Sequence, residues 1–256
     1  MKLFFSDYDM TIYIHEKIDD SVFDAIKKWR EAGNIFTIAT GRNKFSIFEH
    51  IDRHGLEFDY LIANNGALVF NNKREIIFKD TIDDEISYKV IRFLHEKFGG
   101  TVEIANDNYV VSVKSKEGND DLPFKVDKKI NINEIENLKN IIQINKMTPN
   151  AESTEIVANT INEKFKEEVT AYANIRTVDI VKNTVNKANG VDFVHKFIEK
   201  NNKNIIDKIL VAGDSNNDME MIKKYNGYAQ INANEKIKSI TNKYFNFISD
   251  IIYKEL

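Results

Sequence analysis

The chain has 256 residues, of which 42% are hydrophobic and 30% are charged, and its formal net charge is −4. This length suits one large domain or two small ones with a sizeable buried core. The small negative charge gives no reason to expect nucleic acid or an anionic membrane as a partner, and the lack of cysteine excludes disulfides and thiolate metal sites. The sequence has no signal-peptide pattern and no run of about 18 apolar residues, so we expect a cytoplasmic protein.

The first predicted strand contains the apolar run of residues 3–5 and is followed by two aspartates, Asp7 and Asp9. In an extended backbone, residues two apart project to the same side. Two carboxylates aimed at one point repel each other unless a cation, a shared proton or a chemical task offsets the repulsion. The pair therefore indicates a metal site or an acid/base pair, or else only an acidic turn after a strand.

Residues 12–17 are expected to form a surface excursion before a helix. Ser21 gives a weak capping signal for that helix, an apolar stripe at helical spacing follows, and Gly33 is expected to end it. A second buried strand is predicted at Ile35–Ala39. The order strand, helix, strand predicts a parallel crossover unit.

The second strand ends in Thr40, Gly41 and Arg42. Ligands of open parallel sheets bind at the carboxyl ends of the strands, so this cluster and the first aspartates are expected at one edge. Thr40 offers a hydroxyl donor, and Gly41 lets the backbone approach a ligand closely. Arg42 is either a phosphate-binding guanidinium or an exposed charge at a helix start.

A third strand is predicted at residues 60–63, followed by the turn signal Asn64-Asn65-Gly66 and a hairpin over 67–79. The pattern then changes to helices mixed with alternating strands, with a polar, weakly patterned stretch at 115–129. A mixed antiparallel block between parallel crossover elements predicts an inserted domain. We expect a core of residues 1–80 and 186–256 and an inserted domain of residues 81–185.

The parallel pattern resumes with a helix that begins at Lys187. An apolar strand at residues 209–212 then runs into Gly213 and Asp214, with Asn217 and Asp218 near the next helix start. Helix capping alone could explain Asn217 or Asp218. Capping does not explain Asp214, which directly follows a buried strand. Taken alone, Lys187 would be interpreted as a solvated lysine at a helix start.

Four of these segments resemble the four ordered motifs of the haloacid dehalogenase (HAD) superfamily of phosphohydrolases: DYDMT at 7–11, TGR at 40–42, Lys187, and GDSNNDMEMI at 213–222. The inserted block and the tail GYAQINA at 227–233 resemble the Cof-like branch, which carries a type IIB cap. The resemblance spans nearly the whole chain and implies an α/β fold, with a Rossmann-like parallel-sheet core and an inserted α+β cap domain. Met10 stands where the family usually has glycine, and Ala188 follows the lysine where glycine is common.

The resemblance implies a Mg²⁺-dependent phosphatase that acts on a small phosphorylated metabolite. Asp7 would be the nucleophile and would pass through an aspartyl-phosphate. Asp9 would protonate the leaving group and later take a proton from water. Mg²⁺ would be held by the carboxylates of Asp7 and Asp214 and by the backbone carbonyl of Asp9, because hard oxygen ligands suit this ion.

The remaining site residues follow from the same resemblance. Thr40 and the Gly41 amide would hold phosphoryl oxygens, and Lys187 would neutralise charge between the nucleophile and the phosphate. Asn217 would contact the phosphate or orient the third aspartate. Asp218 would fix Lys187 or a metal-bound water.

Two other functions remain open. A sugar phosphomutase would use the same nucleophile and return the phosphoryl group to a sugar, and a non-catalytic protein would only bind phosphorylated metabolites. The substrate is not identified by the sequence, although specificity is expected to lie in the cap. We expect a monomer or a weak homo-oligomer.

Overall fold

The computed structural model describes residues 1–115, 126–201 and 205–256. These residues form two compact units: Met1–Lys79 together with Asn186–Leu256, called the core, and Asp80–Val185, called the inserted unit. Of the polar stretch predicted at 115–129, residues 116–125 lie outside the described residues. No helix in the described part of the chain is both long and apolar enough to cross a membrane.

The first segment of the core begins with a strand and alternates strands with helices. Its elements are β1 (Lys2–Ser6), β2 (Tyr13–Ile14), β3 (Lys17–Ile18), α1 (Asp20–Glu31), β4 (Ile35–Ala39), α2 (Lys44–His54), β5 (Tyr60–Ala63), β6 (Leu68–Asn71) and β7 (Ile76–Lys79). A short 3₁₀ turn, Asn64–Gly66, lies between β5 and β6.

The inserted unit and the second core segment complete the chain. The inserted unit contains α3 (Asp84–Phe98), β8 (Val102–Ala105), β9 (Val110–Val113), β10 (Lys128–Ile130), β11 (Gln143–Met147), α4 (Ala151–Lys164), β12 (Val169–Ala173) and β13 (Thr177–Lys182). The second core segment contains α5 (Lys187–Asn201), β14 (Lys208–Gly213), α6 (Met219–Tyr225), β15 (Tyr228–Gln230), α7 (Glu235–Lys238), β16 (Tyr244–Phe245) and α8 (Ile248–Glu255).

The core is built on one sheet with the strand order β16-β15-β14-β1-β4-β5-β6-β7. The pairs from β16 to β5 are parallel, and β6 and β7 are antiparallel additions at one edge. Ser6 of β1 is in register with Ala212 of β14 and Ile38 of β4. The carboxyl ends of these strands therefore meet at one edge of the sheet, as the sequence predicts.

Both faces of the central strands are covered by helices, which explains their continuous apolar sequence. Phe4 packs edge-to-face against Trp29 of α1, and the indole N–H of Trp29 donates to the Ile35 carbonyl at 3.0 Å. On the other face, Leu3 and Phe5 belong to the same buried cluster as α5 residues. Burial of large side chains on both faces fixes β1, and so the backbone that carries Asp7, at the centre of the core.

Several local predictions need correction. The N-cap of α1 is Asp19 and not Ser21, because the Asp19 side chain accepts a hydrogen bond from the Ser21 amide at 3.0 Å. The expected surface excursion at 12–17 is exposed over residues 15–17, and it contains a two-stranded hairpin, β2 and β3, that the sequence interpretation did not predict. The sequence interpretation also missed β16 and α8. The predicted stop at Gly33 is confirmed, since this residue has a φ of 78° that favours glycine.

The inserted unit contains a mixed sheet with the order β10-β9-β8-β11-β13-β12. Its pairs are antiparallel except for β10 with β9. Ile104, Ile144 and Ile180 lie side by side on one sheet face and share a buried cluster with α3 and α4. This α+β arrangement and the parallel core agree with the predicted fold class.

The close packing of α5 on the sheet yields a first testable prediction. A Cβ atom at Gly190 would lie 2.7 Å from Ile62 Cγ2, which is closer than side chains tolerate. In a helix, alanine is normally more favourable than glycine by about 1 kcal/mol. Here we expect Gly190→Ala to lower the free energy of unfolding by about 1–3 kcal/mol, because the added methyl group would overpack the core. Chemical denaturation measures this change.

The matched control is Lys196→Ala, at an exposed position of the same helix. Its effect on the free energy of unfolding should stay within about 0.5 kcal/mol. An increase in stability for Gly190→Ala would contradict the packing described here.

Candidate active site

Three chain segments meet at the carboxyl edge of the central strands. Asp7 follows β1, and its backbone N–H donates to the Ala212 carbonyl of β14 at 2.9 Å. Thr40 follows β4, and its N–H donates to the Ile62 carbonyl of β5 at 2.8 Å. These bonds extend the parallel ladders past the strand ends. They hold the first residues of the polar segments in fixed positions.

Lys187 lies inside this edge and not in solvent. Only 1% of the residue is exposed, and its Nζ lies 2.6 Å from Asp7 Oδ1 and 2.7 Å from Asp218 Oδ1. Burial alone would lower the pKa of the lysine, but Asp218 and Asp7 raise it above its ordinary value. Lys187 is therefore a charged bridge between two buried carboxylates, and the alternative of a solvated lysine is wrong.

Asp218 uses both of its carboxylate oxygens within the protein. Oδ1 binds Lys187, and Oδ2 accepts hydrogen bonds from the backbone N–H groups of Asp214 at 3.0 Å and Ser215 at 3.1 Å. The carboxylate also excludes any side chain at Gly213, whose Cβ would lie 2.4 Å from Asp218 Cγ. Asp218 thus orders the loop after β14 and fixes the lysine at the same time.

Unlike Asp218, Asp7 and Asp214 have carboxylates whose negative charge is only partly offset by neighbouring groups. Asp7 Oδ2 is buried and has no hydrogen-bond partner among the described residues. Burial raises the pKa of Asp7 to about 7, against the attraction of Lys187. Burial, together with the charge of Asp7, raises the pKa of Asp214 to about 9. The ionised forms of these two carboxyl groups are therefore less stable in the metal-free protein than they would be in water.

A divalent cation fits this arrangement. Asp7, Asp214 and Asp218 each offer a carboxylate oxygen, and these oxygens lie within 4.8 Å of one another. Hard oxygen ligands are the donors that Mg²⁺ prefers. Since Asp218 is already bound by Lys187 and by two backbone amides, Asp7 and Asp214 are the better ligands.

The structure joins Asp9 and Arg42 in a way the sequence did not suggest. The guanidinium donates to both carboxylate oxygens, with Nε to Oδ2 at 2.8 Å and Nη2 to Oδ1 at 2.7 Å. Nη1 also donates to Ser46 Oγ at 3.1 Å, and the guanidinium lies over the Tyr8 ring. Asp9 is much more exposed than Asp7. The proposed phosphate-binding role of Arg42 stays a prediction.

Thr40 and Asn217 are both buried and hydrogen-bonded. The Thr40 hydroxyl oxygen accepts the Arg42 N–H at 3.1 Å. The Asn217 amide accepts the Ser215 hydroxyl at 2.7 Å and donates from Nδ2 to Asn65 Oδ1 at 2.8 Å. Gly41 lies half-buried next to Thr40.

Asn65 is a site residue that the sequence interpretation used only as a turn signal. Its side chain contacts Asn217 although the two residues are 152 positions apart. The sequence signal for it is its place in the turn that follows β5, at the same sheet edge as the other site segments. Its partner could not be read from local sequence.

The two departures from the family motifs have different structural consequences. Met10 has a φ of 60°, in the left-handed region that favours glycine, and its N–H donates to the Tyr13 carbonyl at 2.8 Å. The backbone after Asp7 therefore adopts the strained turn despite the side chain. Ala188 is buried in the apolar cluster beneath α5, where its methyl group is accommodated.

A family model of haloacid dehalogenase-like hydrolases matches residues 4–250. The chain belongs to this family. An uncharacterised protein of Mycoplasma capricolum subsp. capricolum is 34% identical over 99 residues, which cover 36% of this chain and 37% of that protein. The chain thus matches little more than a third of that relative's length.

Solved structures show the same fold over the whole chain. The HAD subclass IIB sugar phosphatase BT4131 superimposes with a TM-score of 0.81 at 21% identity, covering 100% of this chain and 99% of that one. A HAD/Cof-like hydrolase from Plasmodium vivax gives a TM-score of 0.83 at 20% identity, covering 100% and 95%. The predicted HAD fold, Cof-like with a type IIB cap, is confirmed. That the inserted unit is this cap stays a prediction, and the unit is called the cap below.

The raised pKa values predict how the stability of the metal-free protein depends on pH. Asp7 and Asp214 have pKa values of about 7 and about 9 in the folded state and 3.8 when unperturbed. Between these limits the folded state binds more protons than the unfolded state, so the free energy of unfolding falls as pH rises from about 4 to 9. We therefore expect the midpoint of chemical denaturation of the metal-free protein to move to lower denaturant concentration as pH rises over this range.

Added Mg²⁺ should reverse this loss, because a cation favours the ionised carboxylates. We expect a larger Mg²⁺-induced rise in Tm at about pH 8 than at about pH 5. Asp214→Asn should stabilise the metal-free protein at the higher pH and remove most of the Mg²⁺ effect, whereas Glu155→Gln, at an exposed position, should change neither. A pH-independent stability in the metal-free protein would count against this electrostatic account.

The positive φ of Met10 predicts a stabilising substitution. The left-handed conformation is unfavourable for L-residues by about 1–2 kcal/mol, and glycine avoids it at some loss through its more flexible unfolded state. We expect Met10→Gly to raise the free energy of unfolding by up to about 1 kcal/mol. Thermal denaturation should show a rise in Tm of a few degrees.

Met10→Ala is the matched control, since it removes the same side chain but keeps a Cβ atom at a φ of 60°. It should give no gain in Tm. Equal effects of the two substitutions would show that the side chain, and not the backbone, sets the stability of this turn.

Proposed function

We propose that the protein is a Mg²⁺-dependent phosphatase that hydrolyses a small phosphorylated metabolite through an aspartyl-phosphate on Asp7. The observation that carries the proposal is the buried Asp7 carboxylate, which is bound by Lys187 through one oxygen and is unpaired at the other. The resemblance to the HAD motifs implies that this carboxylate is the nucleophile. It is fixed in orientation, shielded from water and free at one oxygen to attack phosphorus.

Lys187 determines which oxygen of Asp7 can react. Its ammonium occupies Oδ1, so Oδ2 is left as the nucleophilic atom. The buried positive charge also offsets part of the repulsion between the carboxylate and an incoming phosphate. Asp218 keeps the ammonium in place through a second short contact of 2.7 Å.

Asp7 and Asp214, with the Asp9 backbone carbonyl, are proposed to hold Mg²⁺. When bound, Mg²⁺ supplies positive charge that lowers the barrier to the approach of two anions. The phosphoryl oxygens would be held by the Thr40 hydroxyl, the Gly41 amide and the second amide hydrogen of Asn217. These groups lie on segments that follow neighbouring strands of one sheet.

Asp9 is proposed to act as the acid and base. It would protonate the leaving oxygen as Asp7 attacks and would later take a proton from the water that hydrolyses the aspartyl-phosphate. In the structure its carboxylate is paired with Arg42. We propose that Arg42 turns toward the phosphoryl group of a bound substrate, which frees Asp9 for proton transfer.

The cap is proposed to supply the specificity. Glu103, Asn145 and Asp179 lie side by side on neighbouring strands, on the sheet face opposite the apolar cluster. Asn145 Nδ2 donates to Glu103 Oε1 at 2.9 Å. Glu103 and Asp179 are buried, with 2% and 7% of each residue exposed. We propose a sugar phosphate or a similar phosphomonoester as the substrate, because the HAD subclass IIB sugar phosphatase BT4131 shares the fold. A cytoplasmic location and a monomeric or weakly associated state remain predictions from the sequence.

The test is a screen of small phosphorylated metabolites that measures released inorganic phosphate with and without Mg²⁺. We expect release from at least one sugar phosphate or similar ester, and only with Mg²⁺. Conversion of a hexose phosphate to its isomer without phosphate release would instead identify a phosphomutase. Binding of these compounds without turnover would identify a binding protein.

Replacement of the nucleophile gives the sharpest prediction for this screen. Asp7→Asn should lower kcat by about 10⁴-fold or more, because no covalent intermediate can form. The control Asp20→Asn changes an exposed aspartate at the start of α1 and should keep full activity. Comparable activity of the unmodified chain and Asp7→Asn would exclude this nucleophile, provided that circular dichroism shows both to be folded.

A further inference from the structure

The turn that follows β5 is unusual because it is both polar and completely enclosed. Asn64 is 1% exposed and Asn65 is 0% exposed, and they have φ angles of 51° and 57°. Left-handed backbone is unfavourable for residues with a Cβ, although asparagine tolerates it better than most. A buried turn with two such residues persists only if surrounding contacts hold it.

The backbone of this turn is bonded to the segment that follows β4. Asn65 N–H donates to the Thr40 carbonyl at 3.0 Å, and Asn64 N–H donates to the Arg42 carbonyl at 2.9 Å. Gly66, with a φ of 112°, packs directly on the residue before Lys187, since a Cβ there would lie 2.4 Å from the Asn186 carbonyl oxygen. The turn therefore touches two of the proposed site segments through main-chain atoms.

Its contact with the third segment is made by a side chain. Asn65 Oδ1 accepts a hydrogen bond from Asn217 Nδ2 at 2.8 Å, and the bond is buried. The other end of the Asn217 amide accepts the Ser215 hydroxyl at 2.7 Å. Because the amide is held at both its oxygen and its nitrogen, it cannot rotate without breaking a buried hydrogen bond.

We propose that Asn65 is a positioning residue that orients the Asn217 amide toward the phosphoryl group of the substrate. The proposal rests on the proposed function, in which Asn217 donates to a phosphoryl oxygen. The Asn217 amide nitrogen carries two hydrogens. Asn65 takes one of them, and this fixes the direction of the other. Without Asn65, the amide would be held only by the Ser215 hydroxyl and would spend less time in the orientation that binds phosphate.

The backbone and side-chain functions of Asn65 can be separated by substitution. Glycine adopts a φ of 57° without strain and keeps the N–H that donates to Thr40. Asn65→Gly therefore keeps the backbone of the turn and removes the side-chain acceptor of Asn217. The matched control is Asn226→Gly, which replaces an exposed asparagine with a φ of 48° at the end of α6.

The experiment measures KM for a substrate from the screen, and the dissociation constant of inorganic phosphate by calorimetry with Mg²⁺ present. We expect Asn65→Gly to raise both KM and the dissociation constant by about tenfold, the effect of one buried hydrogen bond. Asn226→Gly should change neither value. Combining Asn65→Gly with Asn217→Ala should give values within about twofold of Asn217→Ala alone, because the proposal has Asn65 affect phosphate binding through Asn217.

The proposal is overturned if Asn65→Gly behaves like Asn226→Gly, or if its effect multiplies with that of Asn217→Ala, as a general structural disturbance would. Should Asn65→Gly not fold, Asn65→Ser carries the same expectation, since its hydroxyl is too short to reach Asn217. If the unmodified chain releases no phosphate from any ester, the proposed function fails. In that case the calorimetric comparison of phosphate binding still tests the role of Asn65. If the unmodified chain does not bind phosphate either, the assignment of Asn65 is overturned as well.

Discussion

The structure depends on one buried ammonium group placed between two buried carboxylates. Lys187 lies within 2.7 Å of both Asp7 and Asp218, and all three side chains are almost wholly removed from solvent. A lone charge in such a place would be very unfavourable, and removing one partner would leave another unpaired. Asp7 follows β1, Lys187 begins α5 and Asp218 lies in the loop after β14, so the ion pairs also bind distant parts of the chain together.

The single ammonium of Lys187 does not offset all the negative charge of the carboxylates around it. One ammonium faces the carboxylates of Asp7, Asp218 and Asp214, and the pKa values of Asp7 and Asp214 are raised in consequence of burial and mutual repulsion. Asp218 is satisfied by the lysine and by backbone amides. The remaining negative charge is therefore concentrated on Asp7 and Asp214, where a divalent cation and a phosphate ester would together compensate for it.

Much of this could be predicted from the sequence, for physical reasons that also explain what could not. Asp7 and Asp214 directly follow apolar strands, and strand order alone places such residues at one sheet edge. Lys187 needed the family resemblance, because a single lysine at a helix start is ordinarily solvated. The Asp9–Arg42 pair and the Asn65–Asn217 bond depend on side-chain directions across separate segments, which no local pattern encodes. The hairpin β2–β3 and the cap of α1 were missed because their signals span only one or two residues.

The most direct measurement is a crystal structure of the protein soaked with Mn²⁺ in place of Mg²⁺, with anomalous scattering used to locate the ion. The account predicts an ion coordinated by carboxylate oxygens of Asp7 and Asp214, with Lys187 still bridging Asp7 and Asp218. An ion bound by Asp218 with Lys187 displaced, or no ion beside Asp7 at all, would contradict it.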